Sequence, residues 1–411
     1  MNDPYAALRY PEFRRLVTAT FLLTAAILVQ EVVLGYEVYL LTGDPLALGM
    51  VGLAEAVPFI ALALFGGHLA DRRERLGLMR WSLFVILLGS ALLAGLMYPP
   101  VRVQLSKAVQ LAAIYGTVFL LGLARGIYSP AASSLKPFLV PREHYPNSSA
   151  WISSFWQAGA VIGPAAAGFS YAAFGMSSTL LLVVAALGIT LWMIFRIDKR
   201  PPAPPEKPHD DLWTSLREGL DYVWKTKAIL YSISLDMVSV FFGGVVAILP
   251  IYAEDILRVG PQGLGVLRSS PSVGAMLVMF VCAYYPPTER AWRNLLWAVT
   301  GFGVATLVFA VSKIFLLSVV MLFFTGAFDS ISVIIRQTLL QALPPDHLRG
   351  RVVAVNSIFV TTSNELGAFE SGLAAKLLGV VPSVLFGGAM TLLTVGTIWR
   401  RSRELLAAKL L

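Results

Sequence analysis

The sequence predicts an all-α polytopic membrane protein, with twelve transmembrane helices arranged as two six-helix pseudo-repeat bundles. Its 411 residues are 57% hydrophobic and only 14% charged, with a mean hydropathy of +0.72. A soluble globular chain carries roughly 25% charged residues, so this composition indicates a chain that lies in lipid. Apolar runs of about 20 residues, long enough to cross a bilayer as a helix, recur along the chain. Two segments about half a chain apart repeat one glycine pattern, which indicates a duplication.

Twelve apolar runs are long enough to be membrane spans. The first run follows a short basic start, Met1–Arg15, and exceeds the roughly 7–15 residues of a signal-peptide core. No small-residue cleavage site precedes Gln30, so we expect this run to remain as the first span. In chain order the predicted spans are 16–41, 46–69, 79–98, 108–129, 151–174, 179–195, 229–253, 264–285, 295–311, 314–340, 352–378 and 384–399.

The positive charges are distributed unevenly between the two ends of these spans. With an intracellular N-terminus, 24 of the 32 Lys and Arg residues fall on the cytoplasmic side and five on the opposite side. Loops rich in Lys and Arg stay in the cytoplasm, so both termini are predicted to be cytoplasmic in a multi-pass protein of the cell inner membrane. The net charge of +8 is then explained by topology and by the lipid bilayer as partner. No nucleic-acid partner is expected.

A polar linker divides the chain into three regions: an N-terminal bundle (1–195), a cytoplasmic linker (196–227) and a C-terminal bundle (228–411). The linker contains PPAPPEKP, which forms neither helix nor strand. Its second part places apolar residues at helical spacing, which predicts an amphipathic helix on the inner membrane surface. These residues are Leu212, Trp213, Leu216, Leu220, Val223 and Trp224.

The duplicated segments are Gly159–Gly168 and Ser363–Gly372, which lie 204 residues apart. The match puts the fifth and eleventh spans in equivalent positions, as parallel six-helix repeats require. The second segment carries Glu365 and Glu370, about 140° apart around a helix, so at most one of them points into a cavity. Its glycines are expected to mark a contact with the second span, where Glu55 lies. They are Gly367 and Gly372.

The loop between the second and third spans carries a recognisable motif. Residues 67–75 read GHLADRRER, which resembles the signature G-x-L-A-D-R-x-G-R-[KR] of the major facilitator superfamily. Glu74 stands in place of the usual glycine, and Leu76 in place of a basic residue. The resemblance implies a charge latch that breaks when the two halves of the fold rock; the alternative is that the arginines only determine topology. The implied gating residues here are Gly67, Asp71, Arg72 and Arg75.

Two further motifs support this resemblance. The fourth span contains Gly122–Gly126, reading GLARG, which is similar to the fourth-helix arginine motif of the superfamily. A buried guanidinium needs a carboxylate, carbonyl groups or water as a partner. The fifth span resembles the glycine-proline pattern of superfamily exporters and antiporters, in which small residues permit close helix contact. Its implied gating residues are Gly159, Gly163, Pro164 and Gly168.

The resemblance spans the whole chain and is strongest to the branch that contains enterobactin exporters and macrolide efflux proteins. It implies the major facilitator fold and proton-coupled export of an amphipathic small molecule, a siderophore or a hydrophobic drug, by alternating access. Such an antiporter needs a proton gradient and no cofactor, and we expect a monomer. An uptake carrier or a lysophospholipid flippase of the same fold remains the alternative, and a non-transporting membrane sensor is more remote.

Enzymatic function is not expected, and neither catalytic nor metal-binding residues are predicted. The chain has no Gly-x-x-x-x-Gly-Lys-[Ser/Thr] loop for nucleotide hydrolysis. Its single cysteine, Cys282, excludes a disulfide framework or a cysteine metal cluster. The four histidines fall in four separate predicted cytoplasmic segments without paired metal-ligand spacing: His68, His144, His209 and His347.

Ionisable residues within the predicted spans are the strongest clues to transport, since charges at that depth are functional by default. In the superfamily, spans 1, 4, 7 and 10 line the central cavity. The resemblance therefore implies four cavity residues: Glu31, Arg125, Asp236 and Asp329. The full set comprises seven acids (Glu31, Glu37, Glu55, Asp236, Asp329, Glu365 and Glu370) and three bases (Arg125, Arg268 and Arg336).

Asp329 and Arg336 lie seven residues apart on one helical face, about 10 Å from each other at 1.5 Å per residue. They can therefore bracket a polar cavity without touching. We expect one of Glu31, Asp236 and Asp329 to carry the coupling proton; the alternative is a set of ion pairs with no coupling role. The candidate substrate and proton residues are Glu31, Arg125, Asp236, Asp329, Arg336 and Glu365.

Overall fold

The computed structural model describes residues 3–72, 74–198 and 212–407, with the side chains of 63–72, 137, 212–215 and 407 outside that description. Within these ranges the chain is helical and contains no β-strand. The main helices are α1 (Pro11–Thr42), α2 (Pro45–Arg72), α3 (Arg75–Leu96), α4 (Lys107–Leu135), α5 (Tyr145–Phe195), α6 (Leu212–Lys225), α7 (Lys227–Gly243), α8 (Gly260–Tyr284), α9 (Ala291–Val311), α10 (Phe315–Ala342), α11 (Asp346–Leu378) and α12 (Val380–Arg401). The short helical turns are Ala7–Arg9, Pro99–Arg102, Lys136–Phe138, Arg142–His144, Val245–Ile248, Leu249–Ile251, Tyr252–Ile256 and Arg403–Ala407.

The predicted spans correspond to α1–α5 and α7–α12, while α6 belongs to the linker. The predicted fold class, with twelve transmembrane helices, is confirmed. α5 contains both the fifth and the sixth span, because the chain turns at Gly175, where φ is 73° and ψ is 179°. A side chain would be strained at that φ, which explains the glycine. Ten stretches of the described chain are long and apolar enough to cross a membrane, with α5 counted as one of them. α11 is not among the ten, because its charged and polar residues lower its hydropathy.

One compact unit, the first unit, contains α1, α3, α4, α5, α2 from Met50 onward and the segment Val259–Ser269 at the start of α8. Its core is formed by apolar residues of α1, α3, α4 and α5. A Cβ added at Gly163 of α5 would lie 2.9 Å from the carbonyl oxygen of Ala25 in α1. Glycine therefore allows the two backbones to touch. This contact fixes the position of α1, the helix that carries Glu31.

A second compact unit, the second unit, contains Asp44–Gly49, α6, α7, α8 from Ser270 onward and α9 to α12. Apolar residues of α7, α9, α10 and α12 form its main core. Gly326 of α10 packs directly against the backbone of Pro271 in α8. This small-residue contact brings α10 close to α8 and holds in place the helix that carries Asp329.

The second part of the linker forms the helix α6, which packs against α11. A Cβ added at Gly219 would lie 2.9 Å from the carbonyl oxygen of Arg351 in α11, and the Arg351 side chain pairs with Glu218. Apolar residues of α6 join residues of α7 and α11, whereas Trp224 is 67% exposed, and the placement of α6 on the membrane surface stays a prediction. The proline-rich segment falls in 199–211, outside the described residues. The α6 residues in this apolar cluster are Leu216, Leu220, Tyr222 and Val223.

Candidate functional site

Four charged side chains of the first unit form one connected cluster, here termed the quartet. Arg125 pairs with Glu55, and its Nη1 also lies 3.8 Å from Oε1 of Glu31. Nη2 of Arg268 lies 3.2 Å from Oε2 of Glu31. Glu31 therefore joins two arginines, and the cluster holds two acids and two bases. The quartet comprises Glu31 of α1, Glu55 of α2, Arg125 of α4 and Arg268 of α8.

The fourth-span motif explains why Arg125 meets Glu55. Gly122 lies one turn before Arg125, and a Cβ added there would lie 3.1 Å from the carbonyl carbon of Glu55. Only a glycine lets α4 approach α2 this closely. The guanidinium of Arg125 also lies 5.7 Å from the ring centroid of Phe59, one turn beyond Glu55, where a cation is attracted to the ring face. Gly122 therefore places Arg125 next to Glu55 and Phe59 of α2.

The side chains of the quartet differ in their exposure to solvent. The side chains of Arg125 and Glu31 are 33% and 24% exposed, whereas that of Glu55 is 8% exposed. A buried carboxylate needs its cation, so the contact of Glu55 with Arg125 holds the helices together. Glu31 is accessible to a proton or to a polar group of a ligand. Neutralising Glu31 would remove the negative charge that lies 3.2 Å from Arg268.

The second unit contains a different cluster, here termed the triad: Asp236 of α7 with Asp329 and Arg336 of α10. Arg336 pairs with Asp236, and the two side chains are 2% and 5% exposed. Asp329 is half-buried and lies within electrostatic reach of both groups. No ion pair joins Asp329 to Arg336 among the described residues, as their spacing predicts. The triad therefore contains two carboxyl groups and one arginine, which is paired with Asp236.

The glycine-proline motif of α5 contacts two different helices. Gly159 and Gly163 face α1, where Cβ atoms added to them would lie 2.9 Å from the Cβ of Thr24 and from the carbonyl oxygen of Ala25. Gly168, beyond the buried Pro164, faces α8 instead, with its Cβ position 2.8 Å from the Cα of Gly265. The first part of the motif is therefore internal packing of α1 on α5, and its end is a glycine-to-glycine crossing with α8.

The duplicated segment of α11 shows the same division, with one correction. A Cβ added at Gly372 would lie 2.7 Å from the Cα of Gly49 in α2, so this glycine makes the predicted contact with the second span. The prediction for Gly367 is wrong: its Cβ position lies 3.1 Å from the Cα of Phe241 in α7. The reason is angular, because glycines five residues apart point in directions about 140° apart. Glu365 is half-buried on α11.

The loop motif is only partly covered by the structure. Arg73 and the side chains of Gly67, Asp71 and Arg72 lie outside the described residues, so the predicted latch stays a prediction. Arg75 is described, and its guanidinium lies 4.6 Å from the ring centroid of Phe138. This contact orients Arg75 toward the segment that follows α4.

Sequence reasoning counted Glu55, Arg268 and Glu37 among the charges but did not assign them to the candidate site. Arg268 lies on the eighth span, which was not expected to line the cavity, yet it completes the quartet. A basic residue alone in an apolar run is the signal that marks it. Glu37 is 1% exposed, pairs with Arg102 and accepts a hydrogen bond of 2.6 Å from the Tyr171 hydroxyl. Glu37 of α1 thus links the short turn Pro99–Arg102, which follows α3, to Tyr171 of α5.

A further ion pair joins the end of α11 to the segment before α2. Nζ of Lys376, at the end of α11, lies 2.7 Å from Oδ2 of Asp44, which precedes α2. The hydrogen bond from Lys376 lowers the pKa of the Asp44 carboxyl from its usual value. The pair stands next to the contact of Gly49 with Gly372, so charge and close packing coincide at this end of α11.

Comparisons with known proteins agree with this fold. The enterobactin exporter EntS of Salmonella typhi is 26% identical over 407 residues, which cover 96% of this chain and 94% of that protein. The nucleoside transporter NupG has the same fold, with a TM-score of 0.73 at 11% identity over 95% of this chain and 99% of that chain. A bacterial homologue of the iron transporter ferroportin matches with a TM-score of 0.71 at 17% identity over 97% and 99% of the two chains.

The match to a family model is also extensive. The model of the Major Facilitator Superfamily matches residues 16–369, which include every member of the quartet and the triad. The chain is a multi-pass membrane transporter and not an enzyme. On this evidence it belongs to the major facilitator superfamily.

Proposed function

We propose that this transporter exports an amphipathic small molecule, a siderophore or a hydrophobic drug, across the inner membrane in exchange for protons. Relatives at 26% identity are named enterobactin exporters and match nearly the whole chain, which supports the substrate class and the direction. The proposed orientation places both termini in the cytoplasm, as the distribution of Lys and Arg indicates. The quartet and the triad then supply the two functions that an antiporter needs, a polar contact for substrate and a site for the proton.

The observation that carries the proposal is the charge count of the triad. One guanidinium cannot neutralise two carboxylates, and an uncompensated charge at this depth is expensive. Arg336 is already paired with Asp236. Asp329 is therefore the carboxyl group that we assign to the coupling proton.

Proton exchange at Asp329 biases the contact between α7 and α10. While Asp329 is protonated, Arg336 stays with Asp236 and ties the two helices together. Loss of the proton creates a second carboxylate that competes for the same guanidinium from two helical turns away. The ion pair between α7 and α10 is weakened in that state, which gives the second unit two arrangements selected by one proton, as alternating access requires.

The quartet is assigned to substrate contact. Its two acids and two bases balance, so no member needs a proton to be neutralised. Glu31 and Arg125 present opposite charges side by side and are the more exposed members. A polar group of the substrate can insert between them and exchange one ion pair for another.

Transport in everted membrane vesicles tests the proposal. Vesicles that contain the protein are loaded with protons by respiration, and enterobactin or ethidium is added while a pH-sensitive dye reports the lumen. Export predicts substrate-dependent proton release, which is absent from vesicles without the protein. Movement of substrate into the everted vesicles without proton release would contradict proton coupling. Substrate movement only in right-side-out vesicles would favour an uptake carrier.

A further inference from the structure

The second unit contains a cavity of about 340 Å³ between α7 and α11. Its wall is built from two successive turns of each helix, including Met237 and Phe241 on α7 and Phe359 and Leu366 on α11. Nearly all of the surface that faces the cavity is carbon. The few polar residues add little, since the Ser363 hydroxyl donates 2.7 Å to the carbonyl oxygen of Phe359 in its own helix. A polar ligand group would find no partner there.

Aromatic rings shape one side of this cavity. The rings of Phe241 and Phe242 meet edge to face, with centroids 4.9 Å apart and planes at 80°. Phe242 continues the arrangement to Phe386 of α12, at 5.8 Å and 83°. Perpendicular rings of this kind offer faces and edges to a further ring, a contact worth more than its buried area alone.

The cavity lies beside a tight contact, which shows that it is not a region of loose packing. Gly367 follows Leu366 directly, and its Cβ position lies 3.1 Å from the Cα of Phe241. The backbones of α7 and α11 therefore touch at the edge of the cavity. The cavity is therefore open although the next turns of α7 and α11 are in contact.

We propose that this cavity is a subsite for an apolar aromatic ring of the transported molecule. The inference rests on the proposed function in that it takes the ring to be part of a transported substrate. Ligand pockets have volumes of about 300–1,000 Å³, so this cavity accommodates one end of an amphipathic molecule rather than the whole. Apolar cavities of smaller volume, about 150 Å³, already bind benzene. The polar remainder of the substrate lies outside the subsite.

Photolabelling of the purified full-length protein in detergent tests the subsite. Benzophenone is the probe, because its excited state abstracts hydrogen readily from methionine side chains, and Met237 lines the cavity. Peptide mapping by mass spectrometry is expected to find the label on the peptide that contains Met237. Excess tert-butylbenzene, whose triplet energy is too high to quench excited benzophenone, reduces this labelling at least fivefold, whereas benzamide competes poorly because its amide group is unpaired in a carbon-lined cavity.

Two variants and a control make the test specific. Leu366→Trp fills the cavity and lowers labelling at Met237 at least tenfold, while Leu393→Trp, at an exposed position of α12, leaves it unchanged. Should Leu366→Trp fail to give a monodisperse protein, Phe242→Leu removes one ring edge and lowers labelling about threefold.

Labelling spread over the methionines and insensitive to both cavity variants would overturn the subsite. Equal competition by tert-butylbenzene and benzamide would also overturn it. Correct labelling without proton release in everted vesicles would leave the subsite standing and remove proton-coupled export. Proton release without specific labelling would leave proton-coupled export standing and remove the subsite.

Discussion

The quartet and the triad are both charge clusters within apolar helices, but they differ in balance and in access to water. The quartet contains two acids and two bases, and Glu31 is 24% exposed. The triad contains two acids and one base, and its ion pair between Asp236 and Arg336 is almost fully buried. A balanced cluster can exchange partners with a ligand, whereas an unbalanced cluster with one buried ion pair and a half-buried second carboxyl group, Asp329, can respond to a proton. For this reason we propose substrate contact for the quartet and proton coupling for the triad.

The largest expected effect is on the buried ion pair of the triad. Arg336→Leu removes the cation from Asp236 and leaves that carboxylate buried without a partner. Breaking a buried pair in this way costs about 3–5 kcal/mol of unfolding free energy. Denaturation in detergent micelles, followed by loss of helical circular dichroism, measures the change.

Arg293→Leu is the matched control for this substitution, since Arg293 is exposed at the start of α9. Its unfolding free energy is expected to remain within about 0.5 kcal/mol of wild type. An Arg336→Leu protein as stable as this control would show that the triad is not held by its ion pair.

The next effect concerns the packing that positions the quartet. Gly163→Ala places a Cβ 2.9 Å from the carbonyl oxygen of Ala25 and pushes α1, with Glu31, away from α5. Overpacking of this kind destabilises by about 1–3 kcal/mol. Gly188→Ala is the control, because that position of α5 has no neighbouring atom within 4 Å of an added Cβ. The same denaturation assay is expected to show destabilisation for the first variant only; equal stability of the two would contradict the contact.

A smaller effect on stability, with a clear effect on binding, is expected at Glu31. Glu31→Gln keeps the shape of the side chain but removes the charge that faces Arg125 and Arg268. Since the site is partly exposed, the loss of unfolding free energy stays below that of Arg336→Leu. Substrate affinity, measured as the enterobactin concentration for half-maximal proton release in vesicles, weakens about tenfold, as expected for one charge-assisted contact. Unchanged affinity would remove Glu31 from the substrate contact.

The smallest effect is expected at the ion pair between Lys376 and Asp44. Lys376 holds the pKa of Asp44 below its usual value of 3.8. A depressed carboxyl pKa stabilises the fold above the usual value, and this contribution is lost as the pH falls through the lower folded-state value. Both side chains are partly exposed, so the contribution is at most about 1 kcal/mol.

Asp44→Asn is accordingly expected to be slightly less stable than wild type at pH 7, with a difference that shrinks below pH of about 4. Thermal unfolding across this range checks the trend. Lys376→Gln provides the second arm of a double-mutant cycle, in which the two substitutions are expected to be non-additive. A difference between Asp44→Asn and wild type that is independent of pH would contradict the ion pair.

Much of the fold could be predicted from the sequence, because span length and hydropathy are local properties. The apolar runs predicted α1–α5 and α7–α12. The gap between the predicted fifth and sixth spans matches the turn that Gly175 makes possible. The contact of α6 with α11 could not be predicted in this way. An amphipathic pattern shows that a helix has an apolar face, but it does not identify the protein surface that part of this face contacts.

The members of the candidate site were predictable only in part, and their pairing was not. The resemblance to the major facilitator superfamily implied Glu31, Arg125, Asp236 and Asp329, whereas Glu55 and Arg268 were not assigned to the site. Which arginine meets which carboxylate depends on contacts between helices distant in sequence, such as Gly122 with the backbone of Glu55. The contribution of Arg268 was missed for the same reason, since it requires knowing that the start of α8 packs within the first unit.

The most direct test of the central claim is proton release by Asp329→Asn in everted vesicles, compared with Glu31→Gln in the same assay. We predict that Asp329→Asn inserts in the membrane and binds substrate but shows no substrate-dependent proton release. Glu31→Gln is predicted to retain proton release at saturating substrate. Wild-type proton release by Asp329→Asn would contradict the assignment of the coupling proton to the triad.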